Sequence, residues 1–141
     1  MGSRSAIELL LLPVQLDTIR LGRPVDLLLD ADAWRVLGLV VLCGDESTRF
    51  LPYAAADVRD DEIAVSSALL LLDDVEFYRG RSRSLRALLG SAAARGHREV
   101  GLLRDVLVTR DGTVGALLVE HDGAMREVQP AGIRIEYVST A

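Results

Sequence analysis

The chain carries one pattern twice, and this repeat constrains its fold more than any other feature. Residues 36–52 read VLGLVVLCGDESTRFLP, an apolar run followed by a polar turn and a short return, and residues 113–130 read TVGALLVEHDGAMREVQP. Each half also begins with an apolar strand, PVDLLLD in the first and RDVLVT in the second. The Asp-Gly pairs at 111–112 and 122–123 are typical of tight hairpins. We therefore predict the same three-stranded meander in each half.

Matching the two copies by their glycines predicts a register. Gly38 precedes Pro52 by fourteen residues, and Gly115 precedes Pro130 by fifteen. This match predicts equivalent environments for Leu39 and Val41 and for the residues at the same distances past the second glycine, Ala116 and Leu118. Asp26 and Asp105 open the two meanders and are expected to cap the entries to their strands.

The strands are rich in Val, Leu and Ile, and three of them are nearly all apolar, as expected where both faces of a strand are covered. The fold class predicted is therefore mostly β, with two small antiparallel barrel-like units packed together around a shared core, and with short helical turns. We expect a first half at 1–74 with an N-terminal strand, a linker at 75–84 and a second half at 85–141.

Short motifs within this repeat resemble a PRC-barrel domain. RLGRPVD, VLGLVV, FLPYAAADV and EIAV occur in that order, and LLG, LRDVLV, GALLVE, QP and IRIE repeat it, so the resemblance covers roughly 19–66 and 85–138. The family includes the cytoplasmic part of the photosynthetic reaction centre H subunit and the C-terminal domain of a ribosome maturation factor. The resemblance implies a small antiparallel β-barrel and an adaptor role. The chain departs from the pattern at the turn DADAW and at GSAAARGHREVG, which is expected to insert extra residues between Gly90 and Asp105.

Composition narrows the classes of function. With 141 residues, 50% of them apolar, the chain can bury a stable core. Its net charge of −5 disfavours nucleic acids and anionic membranes as partners. Cys43 is the only cysteine, so no intrachain disulfide can form, which favours the cytoplasm and a structural role for this thiol. The apolar segment at 6–16 is too short to cross a bilayer, so no membrane insertion is expected.

The most prominent local feature is FYRGRSRSLR, between the two halves. It could bind an anion, or it could be a solvated connector that leads into a short helix capped by Ser84, which is the interpretation we favour. A possible interaction surface combines this stretch with the chain's one tryptophan, which could alternatively cover a barrel end. Its six residues are Trp34, Phe77, Tyr78, Arg79, Arg81 and Arg83.

Catalytic, cofactor-binding and metal-binding residues are not predicted anywhere in the chain. The acidic pairs fall at expected turns, where Asp is favoured for local hydrogen bonding; they are Asp30 with Asp32, Asp60 with Asp61, and Asp73 with Asp74. His97 and His121 have no His, Cys or Glu at metal-ligand spacing.

The function predicted is that of a non-catalytic cytoplasmic adaptor, with an unidentified protein partner and self-association as a homodimer. The first alternative is a ribosome- or RNA-associated factor, based on the family resemblance and the arginines at 79–86. The second alternative is a small-ligand binder or an enzyme, which would need a pocket with converging polar groups.

Overall fold

The computed structural model describes residues 2–136, and these are mostly β-strand. The strands are, in chain order, β1 (Arg4–Ser5), β2 (Val14–Leu16), β3 (Ile19–Asp30), β4 (Arg35–Cys43), β5 (Thr48–Pro52), β6 (Asp57–Val58), β7 (Ile63–Ala64), β8 (Arg83–Ser84), β9 (Ala92–Arg95), β10 (Arg98–Val108), β11 (Val114–His121), β12 (Ala124–Val128) and β13 (Ile133–Glu136). The helices are α1 (Ala6–Leu9), α2 (Val75–Arg79) and α3 (Leu85–Leu88), and 3-10 turns cover Tyr53–Ala55 and Ala68–Leu70. The mostly-β class and the two packed units predicted from the sequence are confirmed.

The strands form two sheets. The first sheet has the order β5-β4-β3-β2-β7-β6, with β8 paired to β3; the second has the order β12-β11-β10-β9-β13, with β1 paired to β10. Neither sheet closes into a barrel within residues 2–136, which corrects the barrel predicted from the sequence. The apolar strands of the first sheet are covered on both faces, because the two open sheets pack against each other and a helical segment covers the first sheet's outer face.

The turns of the second half follow the predicted chemistry. Asp122 and Gly123 have φ values of 51° and 78°, and they join His121 to its pairing partner Ala124 as a two-residue hairpin turn. At the other turn, the Thr109 hydroxyl donates to Asp111 over 2.6 Å, and this hydrogen bond above all lowers the pKa of the exposed Asp111 to about 2. Both predicted Asp-Gly turns are confirmed.

The two halves are related by a shift of 79 residues through their first strands. Gly22 and Gly101 lie 79 positions apart, and at each a Cβ would meet a backbone carbonyl oxygen of the neighbouring strand, at 2.4 Å and 2.6 Å. The same shift relates the β2–β3 hairpin, closed by Leu16 and Ile19, to the β9–β10 hairpin, closed by Arg95 and Arg98. The expected insertion between Gly90 and Asp105 is therefore wrong, because this segment forms a hairpin that both halves contain.

The predicted match of core residues is also wrong by one position. Leu39 pairs with Leu27, and in the second half Leu117, not Ala116, occupies the corresponding position opposite Val106. Both leucines are fully buried in the shared core, and Val119 likewise corresponds to Val41. Gly38 pairs with Leu28, whereas Gly115 lies in a bulge at the register shift between Leu107 and Val108. The first half has the equivalent bulge at Leu37, so Gly115 corresponds to Leu37 and not to Gly38. A slip of one residue moves a side chain to the other face of a strand.

The halves exchange their leading segments. β1 and α1 precede the first sheet in the chain but join the second one, where β1 pairs with β10. β8 and α3 precede most of the second sheet but dock on β3 of the first. The sequence prediction did not include this exchange, and it means that each sheet is completed by the other half.

One core lies between the sheets. It includes Leu27, Leu39 and Val41 from the first half and Leu103, Val106 and Leu117 from the second, which confirms the shared core. Backbone hydrogen bonds also join the sheets where their turns meet: the Val114 amide donates to the Trp34 carbonyl and the Val36 amide to the Gly112 carbonyl, both over 2.8 Å. Packing and backbone hydrogen bonds thus join the two halves into one structure.

Candidate interaction surface

The segment between the halves folds back onto the outer face of the first sheet. Asp74 begins α2 by accepting a hydrogen bond from the Phe77 amide over 3.3 Å, and Gly80 follows its last residue. Val75 is buried against Leu28, Val40 and Phe50, in a second cluster separate from the shared core. Burial of this side chain fixes which residues of α2 face away from the sheet.

An aromatic stack continues from the sheet into α2. The ring of Tyr78 lies parallel to that of Phe50, with centroids 4.0 Å apart and an angle of 10° between the planes. Phe77 meets Tyr78 edge-on, at 5.1 Å and 81°, and remains 45% exposed. We call Phe77, Tyr78, Arg79 and Arg81 the α2 surface.

The cations of the α2 surface are held by the helix itself. The Arg81 guanidinium carbon lies 3.8 Å from the centroid of the Phe77 ring, and the same side chain donates to the Phe77 carbonyl over 3.3 Å. Arg79 forms an ion pair with Glu76 over 3.4 Å. A guanidinium placed over an aromatic ring is attracted to it by a cation–π interaction, which stabilises the position of the exposed Phe77 side chain. The α2 surface is therefore an ordered aromatic face with a basic rim.

The structure brings together four of the six residues predicted as an interaction surface. Phe77 and Tyr78 lie on α2 with Arg79, and Arg81 lies in the turn that follows. Trp34 is only 5% exposed, and its indole N–H donates to the Ile133 carbonyl over 3.3 Å. Trp34 is thus buried at the junction of the halves, not at a barrel end, and it does not belong to the exposed surface. Arg83 lies in β8 and, with Trp34, lines a cavity of about 660 Å³.

The connector at 75–84 is partly as predicted. Ser84 caps α3 by accepting from the Ala87 amide over 3.3 Å, which confirms the short capped helix. Sequence reasoning missed α2, although Asp74 and Gly80 are start and stop signals for a helix. Five residues are too few to show an apolar period, so the caps were the only available signal.

Asp26 and Asp105 are more than strand caps. Asp26 accepts hydrogen bonds from the Leu27 amide, the Ser84 hydroxyl and the Arg86 amide, and it is 6% exposed. Asp105 is the equivalent residue of the second half, and its carboxylate accepts hydrogen bonds from the Val106 amide, the Ser5 hydroxyl and the Ile7 amide. Each carboxylate thus anchors the leading segment of the opposite half. The sequence signal for this role is the pair RSAIELL at 4–10 and RSLRALL at 83–89, which repeats at the same shift of 79 positions.

The acidic pairs occupy structural positions where their contacts are defined. Asp30 accepts hydrogen bonds from the amides of Asp32 and Ala33, and Asp73 forms an ion pair with Arg49 over 3.1 Å.

Cys43 is half-buried, and this burial raises the pKa of its thiol, which disfavours the reactive thiolate. Across residues 2–136, no three His, Cys, Asp or Glu side chains are grouped as metal ligands.

Comparisons with known proteins do not assign the chain to a family. No family model matches the sequence, and no curated protein matches it. In the part of the chain that the structure describes, no helix has the length and apolar character needed to cross a membrane.

Proposed function

We propose that this protein is a non-catalytic cytoplasmic adaptor that binds protein, including a second copy of itself as a homodimer, through the α2 surface. The observation that carries this proposal is the exposure of Phe77 at the end of the stack that includes Tyr78 and Phe50. Kinship with the PRC-barrel family, whose members are generally thought to be adaptors, is part of the same proposal.

The geometry of the α2 surface suits protein recognition. Aromatic side chains and arginines supply much of the energy at protein interfaces, and Phe77 presents about half of its ring beside Arg79 and Arg81. Contacts with Tyr78 and Arg81 already restrict the ring, so binding would immobilise few additional rotamers. The net charge of −5 favours protein over RNA as the ligand.

The test compares Phe77→Ser with Ile19→Ser. Ile19 is 60% exposed at the start of β3, so its substitution removes an exposed apolar side chain of similar size away from α2. Molar mass is measured by light scattering over a hundredfold range of concentration. We expect the wild type and Ile19→Ser to dimerise, and Phe77→Ser to weaken the dimer about tenfold or more, as loss of a central aromatic contact does.

Two results would contradict the proposal. The first is a wild-type protein that stays monomeric at every concentration, together with a partner in its native cell that Phe77→Ser retains as well as the wild type does. The second is a dimer whose dissociation constant is the same in the wild type and in Phe77→Ser. Circular dichroism of each variant confirms that the fold is intact.

A further inference from the structure

A pocket lined by three arginines lies on the second sheet. Arg95 and Arg98 flank the turn of the β9–β10 hairpin, and Arg126 comes from β12. With His121 and Glu99 they line a pocket of about 350 Å³, and the lining also includes Val100. We call these five polar residues the basic pocket. Its volume lies within the range of small-molecule sites, about 300–1,000 Å³.

The guanidiniums of the basic pocket keep donors available. Arg95 is anchored through two backbone carbonyls, those of Gln129 at 2.7 Å and Ala131 at 3.4 Å, which leaves the rest of its five N–H donors for a ligand. Between residues 2 and 136, neither Arg98 nor Arg126 forms an ion pair within 4.0 Å, although Glu99 lines the same pocket. His121 is directed to Asp122 over 3.3 Å.

The first half provides an internal comparison, because it has the same strands without the basic pocket. Leu16 and Ile19 close its hairpin where Arg95 and Arg98 close the other. The residue matching Arg126 is Arg49, since each faces an equivalent valine across the strand pair, Val119 or Val41. Arg49 is neutralised by Asp45 and Asp73 at 3.4 Å and 3.1 Å. The fold therefore does not require a cluster of unneutralised cations at this end of a sheet.

We propose that the basic pocket binds a small ligand through a phosphate group. Three arginines and one glutamate give the lining a net charge of +2, which complements the −1.5 to −2 charge of a phosphate monoester near pH 7. Guanidinium groups recognise phosphate oxygens with paired, charge-assisted hydrogen bonds. The site is separate from the α2 surface, so this proposal does not rest on self-association.

The probes are inorganic phosphate and glycerol phosphate, titrated calorimetrically into the full chain at pH 7.5 and constant ionic strength. The test variant is Arg98→Gln combined with Arg126→Gln, which leaves the anchored Arg95 in place. The matched control is Arg20→Gln combined with Arg23→Gln, which removes the same charge from exposed positions on β3. Acetate and a short single-stranded RNA provide two further arms.

We expect saturable binding of both phosphate probes to the wild type and to the control variant. The Arg98 and Arg126 variant should bind them at least about tenfold more weakly, because it loses charge-assisted hydrogen bonds to the phosphate oxygens. Equal binding by this variant, no saturation of the wild type up to about 10 mM probe, or binding of acetate or RNA in place of the phosphate probes would overturn the proposal. Retained melting temperatures show that the variants are folded.

Discussion

Asp26 is a buried carboxylate whose neighbours come from both halves of the chain. One donor, the Leu27 amide, lies in its own strand, whereas the Ser84 hydroxyl and the Arg86 amide lie about sixty residues further along. A buried carboxylate is tolerated when its lone pairs are satisfied by donors. Asp26 therefore couples the strand β3 to the start of α3 through a single side chain.

Replacing Asp26 with Ala should lower the free energy of unfolding by about 2–4 kcal/mol, because it leaves buried donors without an acceptor and frees the first turn of α3. Asp61→Ala, at an exposed turn residue, serves as the control and should change stability by less than about 0.5 kcal/mol. Urea unfolding at pH 7 measures both. A similar loss in the two variants would show that the hydrogen bonds of Asp26 add nothing specific.

The sequence indicated that Asp26 and Asp105 were structural, but it did not indicate their partners. Hydrogen bonds within a turn follow from neighbouring residues, as for Asp30 and Asp111. The bonds from Ser84 to Asp26 and from Ser5 to Asp105 span 58 and 100 residues, so they depend on which sheet each segment joins. Local patterns carry no information about that choice.

At the scale of elements, each long hairpin brings its two strands into close contact at a glycine. A Cβ at Gly22 would lie 2.4 Å from the Leu42 carbonyl oxygen and 3.0 Å from a methyl carbon of Val41. Gly101 repeats this close approach with a φ of 143°, which only glycine adopts readily. These glycines let β3 and β10 lie close to the strands beside them.

We therefore expect Gly22→Ala to destabilise the protein by about 1–3 kcal/mol, because the backbone contact cannot relax as a flexible side chain can. The control is Gly44→Ala, where a Cβ would meet nothing within 4 Å and φ is not positive. It should leave stability unchanged or raise it slightly. Thermal unfolding followed by circular dichroism compares the two, and equal melting temperatures would contradict the steric argument.

The same elements explain which predictions succeeded. Strands β3, β4, β5, β10, β11 and β12 were predicted because apolar runs and turn dipeptides mark them. The register was missed because glycines at 38 and 115 look alike in the sequence, whereas one is paired in the sheet and the other lies in a bulge. The β9–β10 hairpin was read as an insertion because GSAAARGHREVG and LLPVQLDTIRLG share a backbone shape but little composition. The basic pocket is formed by residues of four strands that pair in the order β12-β11-β10-β9. Because β9 was not predicted from the sequence, the pocket could not be predicted either.

At the scale of the whole molecule, the exchange of leading segments makes the protein resemble a dimer joined into one chain. Ser5 docks on Asp105 as Ser84 docks on Asp26, and the serine of each pair also caps its own helix. The shared core lies between two sheets that are each incomplete without the other half. A half of the chain on its own would expose the apolar face that the other half covers.

A fragment of residues 1–80 should therefore form a symmetric homodimer rather than a stable monomer. A domain of this size draws only about 3–5 kcal/mol from a single core, and it would expose Leu27, Leu39 and Val41. The fragment retains Asp26, and its capped helix at 5–9 has the same geometry as the absent helix at 84–88. The Ser5 hydroxyl of each copy can therefore bind Asp26 of the other copy, which completes both sheets in a symmetric dimer. The fragment also carries Phe77→Ser, which removes association through the α2 surface. Light scattering of this fragment should give twice its mass, and adding Asp26→Ala should abolish the dimer. Mixing the fragment with residues 81–141 should restore a single cooperative unfolding transition. A monomeric fragment as stable as the full chain would show that the first half does not depend on the shared core.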